Sequence, residues 1–224
     1  MQADVDESRA RGESRVGRQL AGTAMEKLVQ RNLRGIWVRG ELPTGPAIWV
    51  SNHHSWWDYF VANVALRSVG RGDTSVLVHP ENIGNERLFR NAGAIASTEI
   101  RQALASVISG GVLVVFVEGQ LRPAGPVVGA RPGASWLARR SGAPVVTVAT
   151  RVVLRGHQAP EAYLDVSSQD AGGGSGVLAL GDLVARLDRD IQYSDPERPM
   201  PGFRQVVRGV RSWHERFGGT MVRR

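Results

Sequence analysis

The feature that most constrains the fold is a regular alternation that begins at residue 36. Short runs rich in β-branched and aromatic residues, "IWV" at 36–38, "AIWVS" at 47–51, "SVLVH" at 75–79, "AIAS" at 94–97, "VLVVFV" at 112–117 and "PVVTVAT" at 144–150, are separated by stretches with helical spacing over 56–66, 85–90, 100–109 and 133–140. Strands that follow one another through helices pair in parallel, so the pattern predicts an α/β fold with a mainly parallel β-sheet covered by helices on both faces. Gly70, Gly110-Gly111 and Gly142-Ala143-Pro144 stand where those helices must stop. With 224 residues, 42% of them hydrophobic, the chain can bury a sizeable core as one large unit.

Flanking segments read differently. Residues 1–14 are polar and predict a disordered tail, whereas 15–35 predict a basic amphipathic helix, with Val16, Leu20, Ala24 and Leu28 along one line, Met25, Val29 and Leu33 along another, and Arg15, Arg18, Lys27, Arg31 and Arg34 mostly elsewhere. Such a helix can pack on the domain or lie on an anionic membrane surface. Residues 36–224 then form the main domain. Within it "AGGGSG" at 171–176 lacks the Lys-Ser/Thr and the preceding strand of a phosphate loop and reads as a flexible connection. A helix follows over 177–187. Phe203, Val206, Val207, Val210, Trp213 and Phe217 predict a last helix with one apolar face.

Composition excludes several classes. Cysteine is absent, which rules out disulfides and thiolate metal sites and is in keeping with a cytoplasmic location. The longest apolar run, 112–117, is far below the roughly 20 residues that span a bilayer, and the N-terminus has no signal-type apolar core. The formal charge of +7, carried almost wholly by arginine, suits nucleic acid, anionic lipid or phosphorylated ligands. The basic residues are dispersed and no nucleic-acid recognition motif is interleaved with them, so no nucleic acid is expected.

The densest chemistry lies in "SNHHSWWDYF" at 51–60. It ends a buried strand and begins a helix, which places His53 and His54 at the carboxyl edge of the sheet, where open α/β sheets bind ligands. One reading is structural: Ser55 and Asp58 form a capping box in which each satisfies an exposed N–H of the helix start. The other is catalytic: the chain folds back so that Asp58 holds one ring nitrogen of His53 and leaves the other free to take a proton. A metal held by His53, His54 and Asp58 lacks an evident further ligand, and adjacent histidines on extended chain point opposite ways. No Gly-x-Ser-x-Gly elbow surrounds Ser55.

"NHHSWWD" resembles the Asn-His-x4-Asp signature of the glycerolipid acyltransferases, the lysophosphatidic acid acyltransferase-like superfamily. Three further blocks follow in that family's order: "GAIASTE" at 93–99, "FVEGQLR" at 116–122, similar to its Phe-Pro-Glu-Gly block, and "APVVTVA" at 143–149. "GARPGASWLARRSGAP" resembles its glycine-led helix. The resemblance covers 47–150. It implies transfer of an acyl chain from a coenzyme A or acyl carrier protein thioester to a hydroxyl of a lipid-like acceptor, without a covalent acyl-enzyme and without a cofactor or metal. His53 would be the general base and Asp58 its orienter, Glu118 and Gly119 would shape the acceptor site, and the N–H groups starting the Trp56 helix would be available to a developing oxyanion.

Three positions depart from the family's pattern. Glu99 stands where an arginine normally binds the acceptor's phosphate, with Arg101 as the nearest replacement; Gln120-Leu121-Arg122 displaces the third block's arginine by one place; Thr147 replaces a proline. These put lysophosphatidic acid itself in doubt as the acceptor and favour another hydroxyl lipid. A lipid substrate in turn favours a peripheral enzyme on the inner face of the membrane, touching it through the 15–35 helix. Two alternatives stay open: a non-catalytic basic protein binding lipid or nucleic acid on this scaffold, and a thioester hydrolase.

Overall fold

The computed structural model describes residues 2–83, 86–169 and 176–213, and side chains over 16–83, 88–167 and 179–213. Its strands are β1 (Gly35–Arg39), β2 (Ala47–Ser51), β3 (Thr74–Val78), β4 (Ala94–Ala96), β5 (Val112–Phe116), β6 (Val145–Val153), β7 (Glu161–Gln169) and β8 (Arg204–Arg208). The helices are α1 (Gln2–Asn32), α2 (Asp58–Ser68), α3 (Glu86–Asn91), α4 (Ile100–Ile108), α5 (Gly133–Ser141) and α6 (Gly176–Tyr193). The strands form one eight-stranded sheet in the order β4-β3-β5-β2-β6-β7-β1-β8.

β4, β3, β5, β2 and β6 all run parallel. They are the runs whose connections contain helices, and crossover geometry forces that direction. β7 returns antiparallel along β6 and pairs parallel with β1, while β8 closes the far edge antiparallel to β1. The sheet is therefore mostly parallel and helix-covered, as the alternation predicts.

Alternating side chains divide the core. Val76, Val112 and Val114 join Val61, Ala65, Met25, Val29 and Leu33 on one face, and Leu113, Val115, Leu137, Leu183 and Leu187 pack on the other. Of the two apolar lines of α1, the one through Met25, Val29 and Leu33 is buried, while Val16 (59% exposed), Leu20 and Leu28 face outward. Gly17 and Gly22 let α1 sit close to the side chains of Asn91 and Arg67, where an added Cβ would clash. The helix starts before residue 15, at Gln2, and takes in most of the stretch whose polarity suggests a tail.

Over the described residues 203–212 the C-terminal helix expected from Phe203 onward is not formed. Residues 204–208 are strand β8, because Val207 turns into the core beside Ile36 while its neighbours stay at the edge. Phe217, most of the glycine run at 171–176 and His214 lie outside the described residues.

β7 carries two fully buried carboxylates, each held by two guanidinium groups. Asp165 pairs with Arg39 and Arg186, and Glu161 with Arg34 and Arg155. A buried charge is tolerable when paired and hydrogen-bonded, and here the pairing absorbs part of the arginine excess.

Candidate active site

β2 ends at Ser51, and the next residues are locked to β6 before α2 begins. Asn52 donates from Nδ2 to the Thr150 carbonyl at 3.1 Å and accepts the Thr150 N–H on Oδ1 at 2.9 Å, while Ser51 Oγ donates to the Val148 carbonyl at 2.7 Å. The turn that follows is thereby fixed at the carboxyl edge of the sheet.

Asp58 makes contacts of both kinds at once. Its Oδ2 lies 2.9 Å from His53 Nδ1 and accepts the backbone N–H groups of His54 at 2.8 Å and Ser55 at 2.9 Å. Ser55 Oγ accepts the Trp57 N–H at 3.2 Å and the Asp58 N–H goes to the Ser55 carbonyl, so the pair closes the turn before α2, while α2 itself, with Trp57 at its N-cap, has no side-chain cap. The carboxylate facing Nδ1 makes that nitrogen the proton-bearing one and leaves Nε2 as the free nitrogen of the ring. Asp58 is buried and His53 is partly open, with 25% of its side chain exposed. Phe116 stacks under the imidazole at 4.3 Å between ring centroids.

His54 turns the other way, as the extended backbone requires. Its Nε2 accepts the Val152 N–H at 3.1 Å, which assigns the proton to Nδ1, and Nδ1 stands 3.6 Å from Asp58 Oδ1. Neither Nδ1 of His54 nor Oδ1 of Asp58 has a hydrogen-bond partner, so the two buried atoms answer each other electrostatically. Burial pushes the His54 imidazole below its ordinary pKa, against the pull of Asp58. The three residues do not converge on a common point as metal ligands would, and no group of His, Asp and Glu among the described residues is arranged to hold an ion.

Glu118 is buried and fully engaged: Oε2 accepts the His53 N–H at 2.9 Å and Oε1 accepts the Val128 N–H at 3.2 Å. It fixes the backbone of His53 and the 119–130 loop. Gly119 adopts a left-handed φ of 67° and lines the cavity beside His53. Arg122 donates its backbone N–H to the His53 carbonyl at 2.8 Å, but its side chain lies off the cavity wall. Arg101 is exposed in the first turn of α4 and also lies off that wall, which Ile100 lines instead. Glu99 does not stand as a bare carboxylate: Arg90 forms an ion pair with it and holds it below its usual pKa, helped by the Ala96 N–H. The N–H groups of His54, Ser55, Trp57 and Asp58 already have acceptors, the last in the Ser55 carbonyl, so the start of α2 is largely spoken for as an oxyanion site.

The cavity beside His53 has a volume of about 870 Å³. That lies within the range of roughly 300–1,000 Å³ typical of ligand pockets. Its wall is overwhelmingly apolar, drawing Val76, Val78 and Ala94 from one face of the sheet and Leu77, Val115 and Leu137 from the other. Trp56 lines it and is exposed, whereas Trp57 packs against the core. Among the lining residues to which the sequence reading gave no place at the site are Met25, which enters from α1, and Arg131, which enters from the loop before α5 in the block that resembles the family's glycine-led helix.

A sequence model of the acyltransferase family matches residues 25–151, more than half of the chain. The chain belongs to the acyltransferase family. This agrees with the resemblance of its blocks to the glycerolipid acyltransferases. Among solved structures, the acyltransferase resembles 1-acyl-sn-glycerophosphate (LPA) acyltransferase, PlsC, from Thermotoga maritima, with 18% sequence identity and a TM-score of 0.53 over 83% of this chain and 81% of that one. At that identity the likeness establishes the shared fold. No curated protein matches the acyltransferase in sequence.

Proposed function

We propose that this acyltransferase moves an acyl chain from a coenzyme A or acyl carrier protein thioester to a hydroxyl of a lipid-like acceptor, with His53 as general base and Asp58 as its orienter. The observation that carries the proposal is the 2.9 Å contact between His53 Nδ1 and Asp58 Oδ2 on the wall of an apolar cavity. His53 Nε2 takes the hydroxyl proton as the oxygen attacks the thioester carbon; the carbon–sulfur bond breaks and the proton passes to the departing thiolate. Base catalysis of this kind contributes about 10²–10⁴-fold, and fixing both substrates in one cavity contributes further. The acyl chain lies in the apolar cavity. Glu118 acts by holding the His53 backbone, and Gly119 lines the acceptor side.

The enzyme works as a peripheral protein on the inner face of the membrane. Support comes from the outward line of Val16, Leu20 and Leu28 on α1 with Lys27 and Arg31 nearby, and from exposed Trp56 and Trp136 on the cavity wall. No helix among the described residues is long and apolar enough to cross a membrane.

The test is to supply palmitoyl-CoA with a panel of lipid hydroxyl acceptors and separate the products. Acylated acceptor in excess of free fatty acid is expected. Free fatty acid as the main product with every acceptor would instead make the protein a thioester hydrolase.

A further inference from the structure

Strand β6 reads VVTVATRVV, and its one charged residue is a buried arginine. The Arg151 side chain is 2% exposed. Its Nε and Nη2 grip Asp188 of α6 at 2.6 and 2.8 Å. Nη1 donates to the Thr150 carbonyl at 3.2 Å, the same oxygen that Asn52 Nδ2 reaches at 3.1 Å. Nη2 also donates to the Gly125 carbonyl at 2.7 Å. One guanidinium thus joins a helix, the strand that anchors the His53 turn, and the loop beyond Glu118.

That loop borders the site. Residues 117–132 connect β5 to α5 without regular secondary structure, and a connection that long in a compact domain commonly carries function. Its ends are fixed close to His53: the Arg122 N–H donates to the His53 carbonyl and the Arg131 N–H to the Val117 carbonyl, both at 2.8 Å. Gly119, Gln120, Leu121 and Arg131 line the cavity. The middle of the loop, Pro123-Ala124-Gly125-Pro126, carries two prolines with no N–H to donate, and Pro123, Ala124 and Pro126 are exposed. Arg151 reaches this bend from inside the fold.

Holding α6 on the sheet does not require the charge. A buried ion pair can often be replaced by apolar side chains of similar volume without loss of stability, and Leu180, Leu183, Val184 and Leu187 already seat α6. An apolar residue cannot bind a carboxylate along one edge and a carbonyl at a further corner, as the planar guanidinium does in a single orientation.

We propose that Arg151 is a positioning residue of the reaction: by tethering Gly125 it keeps the 119–131 loop closed against the acceptor side of His53, so that a lipid hydroxyl and not water meets the base. The proposal rests on the acyl-transfer reading. Water that reaches His53 Nε2 gives up a proton as a hydroxyl does. Its oxygen then attacks the thioester carbon, the carbon–sulfur bond breaks, the proton passes to the thiolate, and free fatty acid leaves. Excluding water from a closed site suppresses this side reaction, so the tether sets the division of thioester between transfer and hydrolysis.

Two measurements on the full chain test this, with Arg151→Met and Asp188→Asn. Asp188 lies off the cavity wall, so its substitution reaches the loop through Arg151, and its 41% exposure makes that variant the milder one should Arg151→Met fail to fold. The first measurement is amide hydrogen exchange without substrate. Exchange across 119–131 should quicken by about tenfold or more in Arg151→Met and by less in Asp188→Asn, with β2 and β5 unchanged. The second is the ratio of acylated acceptor to free fatty acid formed from palmitoyl-CoA. That ratio should fall by about threefold or more in Arg151→Met and by less in Asp188→Asn. A variant that is simply less folded loses both products together and keeps the ratio. Unchanged loop exchange, or faster exchange with an unchanged ratio, would overturn the proposal. An unaltered protein that forms no acylated acceptor would sink the acyl-transfer reading, while exchange would still report whether Arg151 tethers the loop.

Discussion

The backbone N–H of His53 donates to Glu118 Oε2 at 2.9 Å, and the other Glu118 oxygen is taken by the Val128 N–H. A carboxylate used on both sides by backbone donors fixes the His53 backbone, and under the proposed mechanism its part is to position the base. Glu118→Gln keeps one acceptor oxygen and turns an NH₂ group toward a backbone N–H. It should lower stability by about 1–3 kcal/mol and kcat at least severalfold, with KM for the acceptor little changed. Thermal unfolding and initial rates check this. A raised KM at unchanged Tm would mean that Glu118 touches substrate after all.

His54 gives the fold a defined pH response. Burial holds its folded-state pKa below the ordinary value of 6.5. The unfolded chain therefore takes up a proton that the folded chain resists, so the contribution of neutral His54 is complete above about pH 6.5 and is lost as pH falls below it toward the folded-state value. His54→Gln does not titrate. Its stability should decline less between pH 6.5 and 5 than that of the unaltered protein, as read by denaturant midpoints. Parallel declines would remove His54 from the account.

The reciprocal pair between Asn52 and the Thr150 backbone anchors the whole turn to β6. Asn52→Ala leaves a buried donor and a buried acceptor without partners. The expected loss is about 2–4 kcal/mol, at roughly 1–3 per orphaned group with some relaxation, and activity should fall because His53 is displaced. Urea unfolding at constant m-value measures the first and initial rates the second.

Chain length should follow the cavity. Ala94 is buried on β4 and lines it, so Ala94→Leu fills space that an acyl chain would use. Relative to the unaltered protein, the variant should prefer shorter acyl-CoA donors in a competition assay. An unchanged profile would place the acyl chain elsewhere.

The parts of this fold that announce themselves in sequence are those whose physics is local. β2 and β5 are continuous apolar runs because both faces are covered, and His53 and Asp58 are five residues apart on one strand-to-helix turn. What stays hidden is set at long range. β8 presents Phe203, Val206, Val207 and Val210 at spacings that suit a helix, and it becomes a strand because the open edge of β1 supplies hydrogen bonds that a short helix cannot outbid. β7 lacks a clear strand signal, since its buried Glu161 and Asp165 depend on arginines 126 or more positions earlier and others nearby. Arg131 reaches the site through a loop whose course is fixed by the Val117 carbonyl and Glu118, contacts no spacing rule encodes. Arg101 and Arg122, the arginines that the block comparison singles out, miss the cavity wall.

The central claim is tested most directly by the acyl-transfer rate of His53→Ala beside its thermal unfolding curve, with palmitoyl-CoA and an acceptor that the unaltered enzyme uses. The account predicts a fall of at least about 10²-fold in transfer with Tm nearly unchanged, since the ring is partly exposed and its backbone contacts survive the change. Transfer within a few-fold of the unaltered rate in a folded His53→Ala protein would contradict it.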